Sequence, residues 1–256
     1  MKVVLLAGGL GTRMREETEF RPKPMVEVGG KPVLWHIMKI FASYGHTEFI
    51  ICAGYKGDFI KNYFSNYSAM NMDFTMKLGD HESAVFHGSH DEFDWTVTVA
   101  DTGFDTPTGG RIKRIERYVG DEPFFCTYGD GIAPVDLEQL LTHHEAKKTV
   151  ATLTSSKPPS RFGVVHVSAD GLVERFEEKP RMDSSVNIGY FVFEREVFDY
   201  LTDDSVLEFD VLPRLARQGQ LGRYDHPGFW YPMDTQRELQ VLQELWNKPN
   251  PPWKRW

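Results

Sequence analysis

The chain has 256 residues, 41% hydrophobic and 26% charged, an ordinary composition for a soluble globular protein long enough for one large α/β domain or two small ones. A net charge of −8 argues against a general nucleic-acid binder, so any cationic site must be local. Gly8 interrupts the first apolar run and no long apolar span follows, which predicts no membrane segment and no signal peptide. Cys52 and Cys126 each sit in an apolar run, predicting two buried thiols in a reducing cytoplasm.

Residues 3–6, all branched and apolar, predict a strand buried on both faces. Gly8, Gly9 and Gly11 follow, letting backbone approach a ligand closely and turn N–H groups toward phosphate oxygens. Arg13 and Lys23 add two cations suited to phosphate. Glycine-rich turns are common, so two specific patterns matter. A dinucleotide fingerprint beginning at Gly9 fails at Met14, and a Walker A loop at Gly30-Lys31 fails at Pro32.

A helix is predicted over 32–44, a strand over 48–53 and a shorter helix over 56–65. Strand–helix alternation favours a Rossmann-like, mostly parallel central sheet flanked by helices. Residues 72–77 alternate as a strand near an edge. Residues 79–94 are polar, and a solvated loop is favoured there over a metal cluster of His81, His87 and His90. A strand over 95–100 leads to Thr108-Gly109-Gly110-Arg111, which opens a helix through 117. This second glycine pair is consistent with a flat ligand lying against backbone. Arg111 is weighed evenly between a phosphate or partner-subunit contact and a surface salt bridge.

Residues 123–128 form an apolar strand ending at Gly129-Asp130-Gly131, where a carboxylate would stand in the usual crevice of an open α/β sheet. An Asp-Gly turn is the plain alternative. A helix over 136–147, capped by Asp136, precedes a strand over 150–155. Composition then changes. Residues 161–167 and 172–176 read as a hairpin about Asp170-Gly171, a β-rich insertion on the same sheet, and Asn187 opens another strand. Helices over 195–201 and 209–218, a strand over 221–224 and a final helix after Asp234 follow. The tail, 249–256, carries two tryptophans and is expected to dock on this subunit or a neighbour. One domain is expected, with a nucleotide-binding part over about 1–150 and a sugar-binding and C-terminal part over about 151–256.

Leu6-Ala7-Gly8-Gly9-Leu10-Gly11-Thr12-Arg13 with Pro22-Lys23-Pro24-Met25 resembles the signature of sugar-1-phosphate nucleotidyltransferases. Glu16-Glu17-Thr18 and residues 26–36 are similar to one branch, the glucose-1-phosphate cytidylyltransferases. The likeness returns at Tyr128-Gly129-Asp130-Gly131, at Glu178-Lys179-Pro180 and over residues 226–235, and so spans nearly the whole chain. It implies transfer of CMP from CTP to a sugar-1-phosphate, with Mg²⁺ held by Asp130 and Asp234. Arg13 and Lys23 would be catalytic. Leu6, Ala7, Gly8, Gly9, Gly11, Thr12, Thr108, Gly109, Gly110, Arg111 and Asp130 would contact the nucleotide. Tyr128, Glu178, Lys179 and Asn187 would contact the sugar phosphate. Alone, Asp234 reads as a helix cap and Lys179 as a surface lysine; the resemblance promotes them. It and the aromatic tail also imply a homo-oligomer, with a hexamer of trimeric or dimeric pieces as one form. Composition and spacing leave the base open between cytosine, uracil and thymine. The family pattern has two glycines after the sugar-side asparagine; here Ile188 gives Asn-Ile-Gly and is expected to narrow or redirect the sugar pocket.

Overall fold

Strand β1 (Val3–Ala7) divides its side chains between two cores, because successive residues of a strand point to opposite faces. Val3, Leu5 and Ala7 enter one apolar cluster, Val4 and Leu6 the other. The computed structural model describes every residue except Arg161 and every side chain except those of Arg161, His81 and Glu82. In it β1 lies inside a seven-stranded sheet with β2 (Glu48–Ala53), β3 (Thr96–Asp101), β4 (Phe124–Tyr128), β5 (Ala151–Ser156), β6 (Val186–Phe193) and β7 (Leu221–Asp225). The order is β7-β5-β6-β4-β1-β2-β3. Only β6 runs antiparallel to its sheet neighbours.

The chain winds outward from β1 through β2 to β3, then returns to place β4 on β1's other side. That reversal opens a crevice at the carboxyl ends of β1 and β4, the position where open α/β sheets bind ligands. The glycine loop leaves β1 there and Gly129-Asp130 leaves β4, with Leu6 paired to Tyr128. Helices Val33–Ala42, Leu137–Lys147 and Gln236–Trp246 cover one face through Ile37, Leu140 and Leu242. Helix Thr108–Arg114 and the segment from 195 to 217 cover the other through Ile112, Phe198 and Leu215.

Several expectations need correction. Residues 195–201 form a 3₁₀ turn, Arg195–Tyr200. The next helix starts early, as a π turn at Leu207–Val211 that passes into Leu212–Arg217. The expected loop over 79–94 contains a strand, Asp80–His87, paired antiparallel with Asp73–Lys77. The histidines there form no metal cluster among the described residues; His87 bonds Thr75 and His90 bonds the Glu92 amide, while the His81 side chain lies outside the described residues. The hairpin expected on the central sheet pairs only within itself, Val164–Val167 with Val173–Glu177. The reason is steric: β5 is already flanked by β6 and β7, leaving no edge beside it. Arg161, taken as the hairpin's first residue, lies outside the described residues.

The tail docks on its own subunit. Trp253 is fully buried, stacked near Trp246 and Phe229, and its indole N–H donates to His36 Nδ1 at 3.3 Å. Cys52 and Cys126 are buried free thiols. Among the described residues no helix is long and apolar enough to cross a membrane.

Candidate active site

The loop after β1 is shaped by an arginine beneath it. Arg111 is 5% exposed, and its guanidinium donates to the carbonyls of Gly8 at 3.0 Å, Gly103 at 2.8 Å and Phe104 at 3.0 Å, and to Thr102 Oγ1 at 2.8 Å. A Cβ on Gly8 would stand 2.1 Å from that guanidinium, so glycine is required for the pass. Arg111 is thus a buried staple of loop carbonyls rather than a surface salt bridge, and it also reaches the cleft. Gly11 turns the loop with φ 61, in the left-handed region. Gly9 faces open space.

Lys23 sits on a stiff turn, Lys23–Met25, between Pro22 and Pro24. Its ammonium donates to Asp130 Oδ2 at 2.6 Å and to Asp234 Oδ1 at 2.5 Å. Arg13 Nη1 lies 3.0 Å from Asp234 Oδ2. Burial alone pulls the Lys23 pKa down; the two carboxylates outweigh it and hold the ammonium above its ordinary value. Two further features bring these groups together. Gly129 lets β4 end close to Pro24, since a Cβ there would stand 3.0 Å from the Pro24 ring. Tyr231–Pro232 pairs antiparallel with Gly131–Ile132, and the Met233 amide donates to Asp130 O at 2.8 Å, which sets Asp234 opposite Asp130. The cap of the last helix is Thr235, whose hydroxyl accepts from the Glu238 amide; the Asp234 carboxylate is left to the cleft.

These residues line a cleft of about 540 Å³, a size suited to a small ligand pair. Leu6, Ala7, Gly8, Gly9, Gly11, Thr12, Arg13, Lys23, Thr108, Arg111, Tyr128, Asp130, Asn187 and Asp234 all reach it. Gly109 and Gly110 do not. They let the chain at 203–205 press on their helix, since a Cβ on Gly110 would lie 2.0 Å from Asp203 O and one on Gly109 2.7 Å from Ser205 O. Glu178 and Lys179 also stand outside the cleft wall, exposed, with Lys179 Nζ 3.6 Å from Glu178. Lys179 has φ 50, in the left-handed region, as do Lys56 and Lys148 at helix ends. Ile188 touches the cleft but is 3% exposed, in the same apolar cluster as Met233, so most of its bulk enters the core. Gly189, with φ 82, keeps the glycine the turn demands; a Cβ there would stand 2.1 Å from the Tyr128 ring.

Sequence reasoning missed Pro24, Thr106 and Trp230 in the cleft wall, and Glu208 behind it. Trp230 Nε1 is buried with no partner among the described residues, the kind of orphan donor a ligand can satisfy. Its aromatic, proline-rich surroundings were the available signal. Glu208 accepts from the Tyr128 and Thr108 hydroxyls, and nothing in its local sequence marks it.

A family model described as "Nucleotidyl transferase" matches residues 2–232. The chain is 48% identical to the glucose-1-phosphate cytidylyltransferase of Salmonella typhi, over 100% of both chains. It is 43% identical to the probable glucose-1-phosphate cytidylyltransferase of Bacillus subtilis (strain 168), again over 100% of both. Among solved structures, HddC from Yersinia pseudotuberculosis superposes with a TM-score of 0.68 at 23% identity, covering 96% of this chain and 99% of that one.

Proposed function

The chain belongs to the nucleotidyl transferase family, and from that premise we propose that its cleft transfers CMP from CTP to α-D-glucose 1-phosphate, giving CDP-glucose and pyrophosphate. The single observation that carries the reading is the convergence of Lys23, Arg13, Asp130 and Asp234 beside the glycine loop. The names of the Salmonella typhi and Bacillus subtilis relatives support the base and the sugar.

A phosphate oxygen of the sugar phosphate attacks the α-phosphorus in line. The bond to the bridging oxygen breaks, and its electron pair leaves with pyrophosphate. The nucleophile is already anionic near neutral pH, since a phosphate's second ionisation falls near ~6, so no general base is needed. The protein's task is to hold two anions together and to stabilise charge on the leaving group. Gly8, Gly9 and Gly11 let the loop wrap the triphosphate with Leu6, Ala7 and Thr12. Arg13, largely exposed at the cleft mouth, steadies the departing pyrophosphate. Lys23 neutralises the α-phosphate.

Asp130 and Asp234 bring two hard carboxylate donors to one point, held here by Lys23 Nζ, and with that ammonium turned to phosphate they would suit a divalent ion. Asp130 and Asp234 would hold that ion, Mg²⁺ by preference, and when bound it would neutralise triphosphate charge. Asn187 and Tyr128 face the sugar. The family likeness assigns Lys179 to the sugar phosphate and Glu178 to a sugar hydroxyl, although both stand outside the cleft wall here.

A matrix of CTP, UTP, dTTP and GTP against several sugar phosphates, read by pyrophosphate release, tests the assignment. CTP with glucose 1-phosphate should exceed every other pair; a higher rate with dTTP or UTP would move the chain to a thymidylyl- or uridylyltransferase. The homo-oligomer and the cytoplasmic location are further proposals. Exposed Phe74, Phe86, Val165 and Phe176 on the two hairpins support the first, and sedimentation tests it.

A further inference from the structure

The segment that presses on Gly109 and Gly110 delivers one carboxylate to two hydroxyls of the cleft lining. The Gly110 amide donates to Ser205 O at 3.0 Å and the Leu207 amide to Thr108 Oγ1 at 3.0 Å, which ties the segment to the start of helix Thr108–Arg114. The π turn Leu207–Val211 follows, a geometry that recurs at functional sites, and it carries Glu208. Glu208 Oε2 accepts from Thr108 Oγ1 at 2.7 Å, and Glu208 Oε1 accepts a short hydrogen bond from the Tyr128 hydroxyl. Thr108 and Tyr128 both line the cleft, together with Leu6, Ala7, Gly8 and Asn187.

A hydroxyl has one proton and two lone pairs. Thr108 gives its proton to Glu208 and receives one from Leu207, so a single lone pair is left for the cleft. Tyr128 gives its proton to Glu208 and likewise faces outward as an acceptor. Burial and the neighbouring Glu208 push the Tyr128 phenol up, so it keeps that proton throughout the neutral range. Cytosine carries an amino donor where uracil and thymine carry a carbonyl. An acceptor set against a carbonyl leaves both unpaired, and buried unpaired polar groups are the strongest means of rejecting an analogue.

Resting on the cytidylyl reading above, we propose that Glu208 is a positioning residue for specificity: it fixes Thr108 and Tyr128 as acceptors, matched to the amino group of the base and a hydroxyl of the sugar. Glu208→Gln offers one oxygen and one amide nitrogen, so one of the two hydroxyls must turn its proton outward. The ratio of kcat/KM for CTP over UTP should fall on the order of tenfold, the scale of one hydrogen bond, and KM for glucose 1-phosphate should rise. Thr108→Val should lower the ratio and leave that KM alone, whereas Tyr128→Phe should raise that KM and leave the ratio alone. These two variants decide the matter even if Glu208→Gln folds poorly. If Thr108→Val and Glu208→Gln slow CTP and UTP in parallel, the proposal is wrong and Glu208 is a packing residue. Calorimetric affinities for CTP and UTP alone give the same ratio. A wild type that released no pyrophosphate would therefore end the reaction assignment and still decide this one.

Discussion

Two glycine-rich segments lie near the cleft, the loop after β1 and the start of helix Thr108–Arg114, and they differ in what occupies the space of the missing side chains. Beside Gly8 the space is held by Arg111 and beside Gly11 by Thr18 and Lys23, beside Gly9 it is open, and the loop faces the cavity. Around Gly109 and Gly110 it is filled by the backbone at Asp203 and Ser205. At Gly9 only a ligand can make the approach, whereas at Gly109 and Gly110 the protein's own backbone already does. Glycine in a sequence therefore reports crowding without naming the neighbour. The carboxylates separate the two cases: Asp130 and Asp234 line the cleft beside the first loop, whereas Glu208 acts on it through the hydroxyls of Thr108 and Tyr128.

The contrast predicts that variants of the charges beside the first loop lose chemistry and keep the fold, while a side chain added at Gly109 or Gly110 costs stability. The largest expected effect is Asp130→Asn. Turnover should drop at least a hundredfold, about 3 kcal/mol, with the thermal midpoint unchanged. Activity surviving with an ordinary response to Mg²⁺ would remove Asp130 from the metal assignment. Next is Gly110→Ala, which forces a methyl group against Asp203 O and should cost about 1–3 kcal/mol in urea unfolding. Gly9→Ala, facing open space, should stay within about 0.5 kcal/mol. Equal losses at both glycines would erase the distinction. Lys179→Ala should raise KM for glucose 1-phosphate by roughly tenfold and barely move KM for CTP; the reverse pattern would reassign the lysine to the nucleotide.

A third close approach gives the smallest effect at neutral pH. A Cβ on Gly29 would lie 1.9 Å from Trp246 Nε1, and the same tryptophan cluster packs on His36. Burial lowers the His36 pKa from 6.5 to about 4, so the fold prefers the neutral ring, with Nε2 bonded to Val28 O. The unfolded chain therefore binds the proton more readily. Stability contributed by His36 is whole above pH 6.5 and is lost as pH falls from there toward about 4. Urea unfolding between pH 7 and 4 should show this slope, and His36→Gln should flatten it. An unchanged slope would place the acid sensitivity elsewhere, with His46, also lowered to about 4, the first place to look.

Much of this was legible in the chain. Residues 3–6 and 48–53 were readable as strands because central parallel strands are buried on both faces and so are apolar without interruption. Asp130 was placed by a general rule about strand ends, whereas Asp234 and Lys179 needed the family likeness, since each has an ordinary local explanation. The staple role of Arg111 was not weighed because its partners are carbonyls from two separate loops, contacts that its neighbours in sequence do not mark. Glu208 was invisible for the same reason: its partners lie 80 and 100 residues away. The hairpin was read correctly as a hairpin and wrongly as part of the main sheet, because local alternation carries no information about which edge is free.

The central claim is that two phosphorylated reactants occupy one cleft together in a molecule of net charge −8. Calorimetric titration of glucose 1-phosphate into protein saturated with a non-hydrolysable CTP analogue and Mg²⁺ tests it most directly. The account predicts that one sugar phosphate binds per nucleotide-loaded chain without displacing the nucleotide. Mutual displacement of the two ligands would contradict it.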